Sequence, residues 1–155
     1  MSKAISSKTR RALKNRLPAV IWAALIFIFS TDAFSAGNTA GILESTLRYF
    51  FWALSDDHIR LLHAVIRKLG HFSEYFVLAV LVMRALRQEP GEKLHTRQLV
   101  FGLGLTALYA ASDEFHQTFV PSRTASIADV VLDIFGGICG TLWFYRRAKA
   151  KSTTE

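Results

Sequence analysis

Ionisable side chains interrupt three of the apolar stretches of this chain. The densest group is Ser112-Asp113-Glu114-Phe115-His116-Gln117, which directly follows the apolar run 99–111. Two further pairs lie inside other apolar segments: His71 with Glu74, and Asp129 with Asp133. Charged and imidazole groups inside apolar helices cost free energy. The pattern therefore indicates a functional site, with a polar network that sets helix register as the plainer alternative.

The spacing inside these groups places their members on one face of a helix. Side chains three or four residues apart are neighbours, and three pairs have this spacing: His71 with Glu74, Asp113 with His116, and Asp129 with Asp133. A carboxylate beside an imidazole can act as a general acid or base. If the site is catalytic, we predict that five residues perform the chemistry: Glu114 and His116 as base candidates, Glu74 and His71 as the partner pair, and Asp113.

Cations near these acids suit a ligand that contains phosphate or carboxylate. Lys68 lies one helical turn before His71, and Arg123 follows the polar cluster. We predict that a ligand of this anionic class binds here. The predicted ligand-contacting residues are Lys68, Tyr75, Gln117, Arg123, Asp129 and Asp133.

Two other functions fit the same residues. The first is a metal-dependent membrane hydrolase, because His71-x-x-Glu74 and Asp113-x-x-His116 resemble the Glu-x-x-His pairs of helical di-metal bundles. This spacing alone is a weak signal, so no residue is assigned as a metal ligand and no cofactor is identified. The second is a non-enzymatic binding protein, partner subunit or small transporter. Four spans are few for a transporter, so this function implies a homo-oligomer.

Composition places the chain in the membrane class. The 155 residues suggest one domain, 51% of them are hydrophobic, and the mean hydropathy is +0.25. The net charge of +7 comes from short basic blocks that flank apolar segments, which argues against a nucleic-acid partner and for a lipid bilayer. The single cysteine, Cys139, permits no internal disulfide.

Four apolar segments are predicted to form an all-α bundle of about four transmembrane helices. We expect a helix that opens in the run 18–29, a helix from Ser55-Asp56-Asp57 through 86, and helices over 98–112 and 127–145. Residues 115–125 are predicted to form a loop, and the aromatic segment 47–52 to lie at headgroup level. Four glycines are predicted close-packing positions: Gly102, Gly104, Gly136 and Gly140.

Basic residues predict the orientation of this bundle. Fourteen of the 19 Lys and Arg residues lie in the N-terminal arm, the turn between segments two and three, and the C-terminal tail. The positive-inside rule then gives four spans, both termini cytoplasmic, and a polar site at the outer face. The domains are a basic, disordered or interfacial arm (1–16), a transmembrane domain (17–145) and a basic tail (146–155). A cleaved signal peptide in place of the first span is an alternative.

Several long motifs resemble the signature of the VanZ-like family. They are Lys68-Leu69-Gly70-His71-Phe72-Ser73-Glu74-Tyr75, Arg84-Ala85-Leu86, the stretch from Ser112 to Arg123, Asp129-Val130-Val131-Leu132-Asp133, and Gly136-Gly137. The resemblance covers roughly residues 17–145. One departure is Ser122, where the family more usually has Gly before the Arg, and this alters the turn slightly.

The resemblance implies a bacterial multi-pass protein of four to five spans in the cytoplasmic membrane. The namesake of the family is associated with reduced susceptibility to the glycopeptide antibiotic teicoplanin. That name describes a phenotype and specifies no reaction. We therefore expect a protein that acts on or binds a cell-envelope lipid or cell-wall precursor at the outer face of that membrane.

Overall fold

The computed structural model describes residues 7–31, 41, 45–87, 94–121 and 125–152. Four long helices make up most of this part of the chain: α1 (Ser7–Phe29), α2 (Asp56–Leu86), α3 (Thr96–Gln117) and α4 (Ile127–Ser152). Residues 45–50 form a further short helical segment, and the described residues include no strand. The predicted all-α fold is confirmed.

The contacts between α2 and α4 show that these helices run parallel. Lys68 of α2 lies beside Asp129 of α4, and His71 one turn later lies beside Asp133. Glycine makes this contact close. A Cβ atom at Gly136 would lie 2.5 Å from the carbonyl oxygen of Phe72. The predicted close packing at Gly136 is therefore confirmed. Close packing is also confirmed at Gly140 of α4, where an added Cβ atom would meet the backbone carbonyl of Phe76.

Helix α3 runs antiparallel to α2. Gln98 at its start donates a hydrogen bond to the carbonyl of Leu86 at the end of α2. A Cβ atom at Gly102 would lie 2.7 Å from Sδ of Met83, so close packing is confirmed at this glycine. The same prediction is wrong for Gly104, where a Cβ would meet nothing within 4 Å. Two residues along a helix correspond to about 200° of rotation, so Gly104 points away from the face that packs.

Helix α1 runs parallel to α3 and completes an up-down-up-down bundle. The hydroxyl of Tyr109 donates to the carbonyl of Ala23, and further along both helices Ser30 donates to Asp113. Ile26 of α1 is buried in the apolar core with residues of α2 and α3. The first apolar segment is thus part of the folded unit.

Three helix boundaries differ from the sequence-based prediction. Helix α1 begins at Ser7, so disorder is wrong for residues 7–16. Helix α3 continues to Gln117, so the predicted loop is wrong for residues 115–117, and α4 continues to Ser152 through most of the basic tail. Partners from other helices stabilise the last turn of α3, and a sequence pattern does not reveal such partners. The predicted bounds of α2 are confirmed.

Within the described ranges, three helices are long and apolar enough to cross a membrane: Ala12–Phe29, Asp56–Leu86 and Ile127–Ala150. Helix α3 has 22 residues and ends in the polar stretch from Ser112 to Gln117. It packs against both α2 and α4. Large apolar side chains cover the outside of the bundle, among them Val20, Phe101, Leu108, Val131 and Phe135. A helical membrane bundle has this combination of a polar interior cluster and an apolar exterior.

Candidate functional site

Polar side chains from all four helices gather at one end of the bundle. All of them are buried: Ser30 directly after α1, His71 and Tyr75 of α2, Asp113, Glu114 and Gln117 of α3, and Asp129 and Asp133 of α4. We call these eight residues the polar cluster. Seven of them were predicted as site residues, and Ser30 was not.

Helical periodicity explains why these side chains face inward. The buried positions of α3 recur at steps of three or four residues, from Gly102 through Thr106 and Ala110 to Asp113 and Gln117. The residues of this stripe have small side chains near the start of α3 and polar side chains at its end. The core is therefore tightly packed at one level and polar at the next.

His71 and Asp133 form the central pair of the cluster. His71 Nδ1 lies 3.5 Å from Asp133 Oδ1, and the two side chains are 11% and 1% exposed. Glu74 is the helical neighbour predicted to act with His71, and Asp133 of α4 is an acid that the structure adds to this pair. Glu74 is half-buried, and its backbone carbonyl accepts a hydrogen bond from Trp22 Nε1. The contact places a carboxylate beside an imidazole, the pair of groups that general acid–base chemistry uses.

Asp113 is the acceptor in a network that joins α1 to α3. Ser30 Oγ donates to Asp113 Oδ2 at 2.8 Å, and Gln117 Nε2 donates to the same oxygen at 3.1 Å. The sequence offers one weak signal for Ser30, because a hydroxyl directly follows the apolar run 18–29. The network makes α1 part of the site.

Glu114 connects α3 to the start of α4. Its Oε1 accepts a hydrogen bond from the backbone N–H of Ser126, which directly precedes α4. Its Oε2 is buried without a hydrogen-bond partner among the described residues. One oxygen of Glu114 therefore positions the chain before α4, and the other remains able to accept from a ligand.

Asp129 forms the rim of the cluster with two cations of α2. Lys68 Nζ lies 3.2 Å from Asp129 Oδ1, and Arg67 Nη2 lies 3.8 Å from Asp129 Oδ2. Lys68 is 57% exposed and Asp129 only 12%, so the cations lie on the outer side of the acid. Arg67 was missed, although its position next to Lys68 in the sequence was a signal. The predicted ligand-binding residue Arg123 lies outside the described residues.

His116 and Tyr75 differ in their neighbours: His116 contacts an aromatic ring, and Tyr75 lies near acidic side chains. The His116 ring packs against Phe27 of α1 at a centroid distance of 4.5 Å, whereas Asp113, its predicted helical neighbour, bonds with Ser30 and Gln117. Tyr75 is fully buried, and its hydroxyl lies within electrostatic range of Asp113 and Asp133. Tyr75 therefore lies near two of the buried acids, whereas the His116 ring packs against α1.

The cluster has more hydrogen-bonding capacity than its own residues use. In the described part of the chain, all but two of the buried side-chain N and O atoms without a partner belong to it or to His116. Among these atoms are Asp113 Oδ1, Glu114 Oε2 and Asp133 Oδ2. Each such group costs on the order of 1–3 kcal/mol when it stays unsatisfied, so the arrangement favours a ligand that donates hydrogen bonds.

The metal alternative gains no support from this geometry. Among the described residues, no three His, Cys, Asp or Glu side chains are grouped so that they could hold a metal ion. The two helical pairs that suggested a metal site point to different partners, with His71 facing Asp133 and Asp113 facing Ser30.

An apolar helical bundle with buried acids and an imidazole at one end is a membrane protein with a polar site inside its helices. The family model described as VanZ/LLP1 matches residues 17–148, and the chain belongs to this family. No curated protein and no solved structure matches the chain.

Proposed function

We propose that this protein binds the polar headgroup of a cell-envelope lipid or lipid-linked cell-wall precursor at the outer face of the bacterial cytoplasmic membrane. The observation that supports this most directly is the convergence of three buried carboxyl groups, Asp113, Glu114 and Asp133, with acceptor oxygens that have no partner among the described residues. Such oxygens suit a ligand rich in hydroxyl or amine donors, as sugars and amino sugars are.

The rim of the cluster suits the phosphate of such a ligand. Lys68 and Arg67 lie on the outer side of Asp129 and are partly exposed. A phosphate that approaches them would meet charge-assisted donors, while the attached sugar would face the acids. Donor-rich and anionic groups occur together in lipid-linked sugars, which explains why this ligand class fits better than a simple anion.

The depth of the cluster supports an outer location. On each helix, a basic residue and a cluster residue are separated by 13 to 16 positions: Arg16 and Ser30, Arg84 and His71, Arg97 and Asp113, Arg146 and Asp133. At 1.5 Å per residue, these separations are roughly 20–24 Å. If the basic residues lie at the cytoplasmic boundary of a hydrocarbon core about 30 Å thick, the cluster lies in the outer leaflet.

General acid–base chemistry is a second candidate, favoured by the His71–Asp133 pair. The imidazole beside this carboxylate could take a proton from a hydroxyl or amine of the bound headgroup. Glu114 remains a base candidate through its unpartnered Oε2. Binding alone and binding followed by reaction give different outcomes in one assay.

That assay uses purified protein in lipid nanodiscs with lipid-linked cell-wall precursors and envelope lipids. Co-purified lipid is identified by mass spectrometry, and each candidate is searched for altered products. The test variant is Asp133→Asn, and the matched control is Asp57→Asn, which removes an exposed carboxylate of α2 paired with Arg60. We expect the wild type and the control to retain a headgroup-specific lipid that Asp133→Asn loses. Retention of the same lipids by all three proteins would contradict the proposed site.

A link to glycopeptide resistance is part of the proposal. Expression of the wild type in a teicoplanin-susceptible bacterium should raise the inhibitory concentration of teicoplanin. Asp133→Asn should abolish that increase and Asp57→Asn should preserve it. An unchanged inhibitory concentration with well-expressed wild-type protein would separate this chain from the phenotype that names its family.

A further inference from the structure

A second feature begins beside the polar cluster, at Phe76 of α2, and extends along α4 toward its C-terminal end. It is a groove of about 440 Å³ lined by Phe76, Cys139, Leu142, Trp143, Arg146 and Arg147. Arg146 is 13 residues beyond Asp133 on α4, which corresponds to about 20 Å along the helix. The groove is therefore separate from the proposed headgroup site.

The groove has apolar walls and a cationic end. Phe76 of α2 and Trp143 of α4 lie with ring centroids 6.1 Å apart, and Leu142 and Trp143 are both exposed on the outside of the bundle. The Arg147 guanidinium carbon lies 5.3 Å from the centroid of the Trp143 ring. This cation–π contact holds one arginine at the level of the aromatic residues, beside the mouth of the apolar groove.

The charge on the C-terminal half of α4 has one sign. No acidic residue occurs between Asp133 and Glu155, whereas Arg146, Arg147, Lys149 and Lys151 follow one another within six positions. Basic pockets between transmembrane helices are a typical arrangement for anionic lipid headgroups. Neither a neutral lipid nor a water-soluble anion would use both the apolar walls and the arginines.

We propose that this groove binds one anionic phospholipid of the surrounding bilayer. An acyl chain lies along Phe76 and Leu142, and the headgroup phosphate is bound by Arg146 and Arg147. The lipid covers the apolar walls of the groove on α2 and α4. The site is independent of the proposed function, because it shares no residue with the polar cluster.

The test is a competition between two lipids, followed by native mass spectrometry. Purified full-length protein is placed in nanodiscs that contain phosphatidylglycerol and phosphatidylcholine with matched acyl chains, and the lipid retained by each ejected protein is identified. The test variant is Arg146→Gln with Arg147→Gln. The control is Arg84→Gln with Arg97→Gln, which removes the same charge from exposed arginines outside the groove.

We expect the wild type and the control to retain phosphatidylglycerol preferentially. The groove variant should lose that preference by roughly fivefold for each arginine replaced. A photoactivatable phosphatidylglycerol should label a peptide that spans residues 139–147, and excess glycerol phosphate should not displace the lipid. An equal loss in the control variant, an unchanged preference in the groove variant, or displacement by glycerol phosphate would overturn the proposal.

Discussion

His71 Nδ1 lies 3.5 Å from Asp133 Oδ1 across the contact between α2 and α4, in a position where the Asp133 side chain is 1% exposed. The contact is possible because the two helices approach closely one turn further on, where Gly136 meets the backbone of Phe72. A polar pair and a glycine contact in successive turns therefore hold the same two helices.

The first prediction concerns the coupling within this pair. Asp133→Asn and His71→Gln should each lower the thermal stability of the protein in detergent, because each leaves a buried partner without its complement. The double variant should be less destabilised than the sum of the single variants, with a coupling free energy of roughly 0.5–3 kcal/mol. Strictly additive effects would show that the residues are neighbours without an energetic link. Asp57→Asn, in an exposed ion pair, is the control and should change little.

The second prediction concerns the glycine contact. Gly140→Ala should destabilise the protein by about 1–3 kcal/mol, because the added methyl group would meet the Phe76 backbone carbonyl, which cannot rotate away. Gly104→Ala is the matched control: its methyl group meets nothing within 4 Å. The control should be neutral or more stable by up to about 1 kcal/mol, since alanine favours helix. Thermal denaturation of both variants measures the difference, and equal effects would contradict the packing described.

The third prediction concerns Ser30. Ser30→Ala should lower stability by about 1 kcal/mol, because it removes a donor to Asp113 inside the cluster. Ser73→Ala is the control, since its exposed hydroxyl donates to the Leu69 carbonyl of its own helix. The same network predicts that α1 remains attached in the cell. The intact mass of membrane-extracted protein checks this, and a mass that lacks α1 would support the signal-peptide alternative.

The fourth prediction concerns orientation. In a Cys139→Ala background, Asp57→Cys should react with a membrane-impermeant maleimide on intact cells, and Lys149→Cys should react only after the cells are opened. The reason is the distribution of Lys and Arg, which predicts that both termini lie in the cytoplasm. The reverse labelling pattern would place the polar cluster on the cytoplasmic side and would contradict the proposed outer site.

Sequence patterns predicted those features that depend on local geometry. Apolar runs interrupted by acids indicated long membrane helices, and spacings of three and four residues predicted that Asp129 and Asp133 share a face with Gly136 and Gly140. All four are buried on α4. Such predictions succeed because the position of a side chain around a helix follows from the helical repeat alone.

Helix partners could not be predicted in the same way. Glu74 could be predicted as a neighbour of His71 from spacing, whereas Asp133 lies beside His71 only because α4 packs against α2. Gly102 and Gly104 looked equivalent, yet only the first faces Met83. Ser30 was an ordinary residue after an apolar run until α1 packed beside Asp113.

The sequence by itself determined the class of protein, the helices, the side chains that cluster and the charge asymmetry, because each of these depends on composition or on short spacings. The tertiary structure decided which acid of another helix lies beside His71, which oxygens remain unpartnered, and how α1 joins the site. These features depend on contacts between residues distant in sequence, such as Ser30 with Asp113 and His71 with Asp133. The relative rotation and close approach of whole helices set such contacts, and no local pattern encodes them.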